Sequence, residues 1–412
     1  MYAIIGRMPQ PHVLIAGGGL SGLCLAHGLV GAGVSCAVYE RDTDLRRRTG
    51  YRITINGDGG NALEQCLAPD LYELYMQCSR NTPRRRMSVV VNDQCEELST
   101  APHLGPPNDG PRPHTAIDRL TLRQILSARL DGVLHIGAAA TGWERDGDRV
   151  RLHLADGRTA EGDVLVGADG VNSVIRGQLL PEVEVIDTGV RGLGIFMRSP
   201  LTPEIRAALP PILLDGFVIA ADRRGVTLVI GPMDSRRPAE QAAADLAPDV
   251  ALDPVAPYMM LSGALPPGTP IPHPGEWTDD TPREMHEQML ETVAEWHPAL
   301  RGLVQRIDLD TMFATHFKRL DLTPAWAPSN VTLTGDAIHA MLPTFGMGGN
   351  TSLRDAAILS AHLGQVQRGE RELLDAIGGY EAAMREYVYP IMEMSADHDR
   401  FGGGGLRREE PV

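Results

Sequence analysis

The feature that most constrains this chain is its opening. An apolar run, His12-Val13-Leu14-Ile15-Ala16, breaks into Gly17-Gly18-Gly19-Leu20-Ser21-Gly22 and continues with helical spacing. A short apolar run closed by glycines reads as a buried parallel strand, and Leu23, Ala26, His27 and Val30 recur at helical spacing within Leu20 to Gly31. Val34 to Glu40 reads as the next strand, which completes a β-α-β unit. Glycines fall where a dinucleotide turn needs them: Gly17 for the bend, Gly19 for approach of a pyrophosphate, Gly22 for close packing of helix on strand. The helix start, with Leu20 and Ser21 in its first turn, offers free N–H groups and partial positive charge to phosphates. Glu40, 18 residues past Gly22 (40 − 22), ends the second strand beside Arg41, where a carboxylate accepts from both ribose hydroxyls. The glycines alone would suit any tight turn. With strand, helix and acid in place, the segment reads as a site for a dinucleotide whose ribose lacks a 2′-phosphate, as in FAD or NAD.

The rest of the chain sets bounds. Its 412 residues allow two or three domains. A net charge of −15 repels phosphates and argues against a nucleic-acid partner. No run approaches the roughly 18 apolar residues of a membrane helix. Tyr2 to Ile5 is too short for a secretory segment, so a cytoplasmic location is expected, with residues 1–10 as a leader. The five cysteines form no Cys-x-x-Cys pair and read as buried thiols, so no metal site is assigned. Lys318 is the only lysine, so any Schiff base would fall to it.

Periodicity predicts one helix over Asn61 to Cys78, a β-leaning piece from Arg84 to Glu97, and a Pro/Gly-rich loop from Ala101 to Pro113. A helix over Asp118 to Leu130 has Asp118 as its N-cap. Asp156-Gly157 turns a hairpin, and residues 185–270 read as predominantly β. Helix returns over Pro282 to Glu295 and again over most of Ser352 to Met394.

Two later segments repeat the strand-to-glycine pattern. An apolar strand runs into Gly167-Ala168-Asp169-Gly170, where Asp169 or Ser173 also suits a helix N-cap. Val331 to Thr334 runs into Gly335-Asp336-Ala337-Ile338-His339, then Pro343, then Gly346-Met347-Gly348-Gly349-Asn350. A carboxylate such as Asp336 accepts from sugar-like hydroxyls. A glycine-rich loop entering a helix offers N–H donors where a flavin gathers negative charge on reduction.

Together these segments resemble the single-component (group A, para-hydroxybenzoate hydroxylase-like) FAD-dependent monooxygenases, most of all the tetracycline-inactivating and salicylate hydroxylase-type members. The resemblance implies a Rossmann-like α/β FAD domain of glutathione reductase type, an inserted β-sheet substrate domain and C-terminal helices. On that pattern 1–79, 116–180 and 271–380 form the FAD domain, 80–115 and 181–270 the substrate domain, and 381–412 a helix and flexible tail. It places Asp169 near the pyrophosphate, Asp336 on the ribityl chain, and Gly335, Pro343, Gly346, Gly348, Gly349 and Asn350 around the flavin. Arg119, in Asp118-Arg119-x-x-Leu122-Arg123, matches the arginine that packs on the flavin. Arg46 and Arg48 fall where the family places cofactor- or substrate-side arginines, although a solvated basic loop explains them too. Met347 and Ile338 depart from the more usual glutamine and alanine. His339 reads as structural.

The implied chemistry is reduction of FAD by NADPH or NADH, formation of a C4a-hydroperoxide with O2, and hydroxylation or epoxidation of an aromatic or polyketide-like substrate. A role in secondary metabolism or antibiotic modification follows, in a monomer or homodimer. No catalytic side chain is assigned, since the cofactor performs the chemistry. Pro343, Thr344 and Phe345 are expected to wall the substrate, with Arg191, Phe196 and Phe217 across the sheet and His398 and Phe401 closing the C-terminal side. The alternatives are a reductase, dehydrogenase or halogenase on the same fold, or a flavin-binding protein without turnover. No Trp-x-Trp-x-Ile-Pro segment is present to support a halogenase.

Overall fold

The computed structural model describes residues 11–46, 51–81, 87–102, 114–189, 194–343 and 346–396. Two sheets organise the chain. The first is parallel and five-stranded, in the order Val331–Leu333, Val164–Gly167, His12–Ala16, Ser35–Tyr39, Leu134–His135. Its central strand is buried on both faces, which is why residues 13–16 carry no polar side chain. Helices Leu20–Gly31 and Gly348–Gln367 pack together and bring the N-terminal turn against the C-terminal glycine segment. A three-stranded antiparallel sheet over Ala140–Gly162 completes this half.

The second sheet has seven strands, in the order Asp308–Ala314, Ile195–Pro200, Tyr258–Gly263, Thr227–Met233, Val218–Ala221, Met87–Asn92, Glu97–Pro102. It is antiparallel except where Val218–Ala221 meets Met87–Asn92. Strand alternation divides its side chains. Ile195, Met197, Leu228, Ile230, Met259 and Leu261 enter a core behind the sheet, whereas Phe196, Val229, Met233, Tyr258 and Met260 form a separate cluster on the opposite face. A two-stranded ribbon, Arg52–Ile55 with Thr115–Asp118, adjoins that face.

Packing redraws several sequence boundaries. The helix expected over Asn61 to Cys78 is two, Gly57–Cys66 and Pro69–Cys78, because Pro69 starts a new helix and cannot continue the old one. The insert is less purely β than its composition suggests, with helices Pro203–Ala208 and Ala239–Leu246. Residues 281–314, assigned to the FAD domain by the expected range 271–380, belong to the second core. Met285, Met289, Trp296 and Leu303 pack there with Ile195 and Leu261, and Asp308–Ala314 is an edge strand of its sheet. Conversely, Ala242, Ala243 and Val250 of the expected insert join the first core. The leader, the loop 103–113 and the tail 397–412 lie outside the described residues.

Candidate FAD site and substrate face

Three glycine segments meet at the C-terminal ends of the parallel strands. Gly17 has φ +112°, and a Cβ there would stand 2.3 Å from the Ala168 carbonyl oxygen, so the first turn is pressed against the second. A Cβ on Gly22 would meet the Gly17 oxygen at 2.0 Å, which fixes how closely helix lies on strand. Around Gly19 a Cβ would meet nothing within 4 Å. The helix it precedes has no acid in its first turn and no side-chain cap, so its N–H groups and positive end face open space. Ser21 and Thr334 hydroxyls lie 2.8 Å apart, joining the first segment to the third.

Glu40 is buried, and its position is fixed from two sides. Oε2 accepts from the Gly18 amide (2.6 Å) and Oε1 from the Asp42 amide (2.8 Å). Arg123 Nη2 lies 3.3 Å from Oε2, while its Nη1 donates to Asp42 (2.9 Å) and its Nε to the Gly18 carbonyl (3.2 Å). Sequence reasoning passed over this role of Arg123 in favour of Arg119, one turn earlier on the same helix face. Arg41 is exposed.

Asp336 is exposed and takes no hydrogen-bond partner among the described residues. A Cβ on Gly348 would lie 3.9 Å from its Oδ1. Gly335, with φ +62°, fits under Ser352 and Ser21 where a side chain would collide. Helix Gly348–Gln367 again begins without an acidic residue or a side-chain cap. The Asn350 side chain is fully engaged: Nδ2 donates to the carbonyls of Thr54 (2.9 Å) and Gly346 (2.8 Å), and Oδ1 accepts from the Asn56 amide (2.9 Å). It fastens the glycine loop to the ribbon and leaves only backbone to face a ligand. Asp169 is likewise turned inward, accepting from Ser173 Oγ (2.5 Å) and the Val174 amide (2.8 Å), with burial raising its carboxyl above the ordinary value. Its side chain therefore braces the turn, and of the two N-caps the sequence left open it is Ser173 that caps the helix, accepting from the Arg176 amide (2.9 Å).

This donor set fits FAD. One buried carboxylate ends the second strand, an unpartnered one lies by the third turn, and two uncapped helix starts converge between them. The ribbon fastened to the glycine loop by Asn350 adjoins the aromatic side of the second sheet. Tyr51 stacks on Phe196 (4.3 Å between centroids, 11° between planes), Phe196 on Phe313 (5.4 Å), and Phe317 meets Phe196 edge-on. Phe217 packs on the same cluster. Burial pushes the Tyr51 phenol up.

Residues 268–389 match the family described as FAD binding domain. A structure from Photorhabdus luminescens subsp. laumondii, described as an FAD-containing monooxygenase, is 30% identical with a TM-score of 0.77, covering 95% of this chain and 98% of that one. The chain belongs to the single-component FAD-dependent monooxygenase family. Among curated relatives, the dual O-methyltransferase/FAD-dependent monooxygenase elcB of Phaeosphaeria nodorum is 29% identical over 96% of this chain, which spans 45% of the relative's length. The aurachin C monooxygenase/isomerase of Stigmatella aurantiaca is 26% identical, over 91% of this chain and 85% of its own length.

Within this family fold, two features had no clear signal in the sequence. His339 and Asp355 form a fully buried pair, Nε2 to Oδ2 at 2.7 Å. The same Oδ2 accepts from the Gly335 amide (2.8 Å) and Thr334 Oγ1 (3.2 Å), and Tyr387 donates to Oδ1. This network sets the turn that presents Asp336, in keeping with a structural His339. Asp118 caps its helix through Oδ1 and, through Oδ2, accepts from Arg198 (2.9 Å) and Tyr258 (2.7 Å) of the sheet. Of the expected substrate residues, Phe196 and Phe217 lie on the aromatic face and Pro343 is exposed. Arg191, Thr344, Phe345, His398, Phe401 and the cofactor candidate Arg48 lie outside the described residues. No helix is long and apolar enough to cross a membrane among the described residues.

Proposed function

We propose that this chain hydroxylates or epoxidises an aromatic or polyketide-like small molecule, using NADPH or NADH as reductant and O2 as co-substrate, in secondary metabolism or antibiotic modification. The observation that carries this reading is the stacked Tyr51–Phe196–Phe313 face beside the ribbon whose Thr54 carbonyl accepts from Asn350 of the glycine segment. Stacked aromatic walls favour a flat ring and exclude water from the reacting centre. A relative points the same way, since 6-hydroxynicotinate 3-monooxygenase of Pseudomonas fluorescens is 25% identical over 94% of this chain.

Bound FAD supplies the electron transfer and the oxygen activation. In this reading Glu40, oriented by Gly18, Asp42 and Arg123, accepts from the adenosine ribose, and Asp336 accepts from the ribityl hydroxyls. The start of helix Gly348–Gln367 stabilises negative charge at the ring by its N–H groups and dipole. Asn350 holds that loop at a fixed distance from the ribbon, and the aromatic face positions the substrate ring.

The test is NADPH and NADH oxidation by the FAD-loaded protein, with and without a panel of aromatic and polyketide compounds. Substrate-stimulated oxidation with an oxygenated product supports the proposal. Bound flavin that neither nucleotide reduces across the panel overturns it. Reduction without any oxygenated product favours a reductase.

A further inference from the structure

The ribbon strand that carries Tyr51 and Ile53 toward the aromatic face and first core places Arg52 and Thr54 on its other side, where they line a small pocket with Arg80, His114 and Phe217. Arg52 is 6% exposed. Its Nε donates to the Pro232 carbonyl (3.1 Å) and its Nη1 to Thr54 Oγ1 (3.1 Å), both neutral acceptors. No carboxylate pairs with it among the described residues, and Nη2 is left for the pocket. The nearest cation makes matters worse. Arg80 shares the pocket lining and its charge opposes that of Arg52, while Asp234 is already shared between Arg80 (2.6 Å) and Arg206 (2.5 Å), and Asp118, opposite Arg52 in the ribbon, is taken up by Arg198 and Tyr258. Burying a guanidinium without an anion is costly, and the chain accepts that cost despite a net charge of −15.

The pocket adjoins the candidate reaction centre. A Cβ built on Gly346 would stand 3.8 Å from Thr54 Cβ, and the Thr54 carbonyl accepts from Asn350. Phe217 belongs both to the pocket lining and to the aromatic face.

We infer that this pocket is an anion subsite of the substrate site, in which Arg52 holds a carboxylate or ionised phenol carried by the aromatic substrate. The inference rests on the oxygenase reading above and narrows it to acidic ring compounds. The pocket is small and suits one functional group, while the ring lies on the Phe196 and Phe217 side.

The experiment uses FAD-loaded protein and matched acid/amide probe pairs, salicylate with salicylamide and 1-hydroxy-2-naphthoate with its amide. Binding is read from perturbation of the flavin absorption spectrum at constant ionic strength. A charge-assisted hydrogen bond to Arg52 predicts that the acid binds about tenfold or more tighter than its amide in at least one pair. Arg52→Gln loses that preference with amide binding unchanged, and Arg52→Lys retains part of it. FAD occupancy of each variant verifies its fold. Absence of preference in every pair, or a preference that persists in Arg52→Gln, overturns the inference. So does an Arg52-dependent change that chloride alone saturates, because the pocket then takes a free anion. The two readings fail separately. Oxygenation of neutral aromatics without acid preference removes the subsite and leaves the oxygenase. Arg52-dependent acid binding in a protein that never oxygenates removes the oxygenase and leaves the subsite.

Discussion

His339 Nε2 stands 2.7 Å from Asp355 Oδ2, with both side chains wholly buried beneath the turn that carries Asp336. Burial works against the imidazolium, and Asp355 outweighs it, so His339 is held above the ordinary imidazole value. A group raised on folding contributes stability that is fully present below its unfolded value of about 6.5 and is lost as pH rises through the folded value. Urea unfolding of the wild type is therefore expected to show this contribution fading with rising pH, and Asp355→Asn to remove that fade. His339→Ala strands a buried carboxylate and is expected to cost about 3–5 kcal/mol in the same assay.

Three of the four glycines of the first turn separate by mechanism. Gly17→Ala and Gly22→Ala put a Cβ 2.3 Å and 2.0 Å from backbone oxygens, so both are expected to lower the melting temperature of the FAD-free protein. Gly19→Ala meets nothing within 4 Å and is expected to melt like the wild type while binding FAD more weakly. Equal FAD affinity in Gly19→Ala and wild type contradicts the placement of the pyrophosphate.

Asp336 and Glu40 are both acids of the site, yet their loss is expected to differ. Asp336→Ala removes an exposed carboxylate that has no hydrogen-bond partner among the described residues, so FAD affinity is expected to fall about tenfold or more while the FAD-free fold is unchanged. Glu40→Ala also releases the Gly18 and Asp42 amides and the Arg123 guanidinium, so it lowers both affinity and stability. FAD titration and thermal unfolding of the two variants side by side distinguish these outcomes.

Asp118→Ala removes a helix cap and one acceptor each from Arg198 and Tyr258, between the ribbon and the seven-stranded sheet. The cap alone contributes about 0.5–2 kcal/mol, and the buried Tyr258 hydroxyl deprived of its acceptor adds to it. The expected loss exceeds that of Ser173→Ala, which removes an N-cap oxygen with no cross-sheet partner, in denaturant unfolding.

Local signals in the sequence reached far here. The first strand, its turn and its helix are specified by neighbours in the chain, and the structure places them residue for residue at 12–16 and 20–31. Partners across the chain were not legible. The helices at 281–292 and 298–305 have the same period whichever core they enter, and only the strand at 308–314 commits them to the second. Arg119 and Arg123 lie one turn apart, and nothing local says which one reaches Glu40. Arg52 reads as one polar residue in an alternating strand. That it forms no ion pair among the described residues, and bonds to Pro232 and Thr54 instead, is visible only in the fold.

The strand order of the parallel sheet has a consequence for synthesis. His12–Ala16 is made first, yet one of its two neighbours, Val164–Gly167, follows about 150 residues later, and Val331–Leu333 joins beyond it later still. At ribosomal speeds of about 5–20 residues per second, the apolar central strand waits many seconds with an open edge. The cofactor cradle, which needs Gly17, Glu40 and Asp336 together, does not exist until the last quarter of the chain emerges. On this placement of the cofactor, FAD has no complete site to bind during most of the chain's synthesis, and the open strand edge is protected by neither partner strand nor ligand.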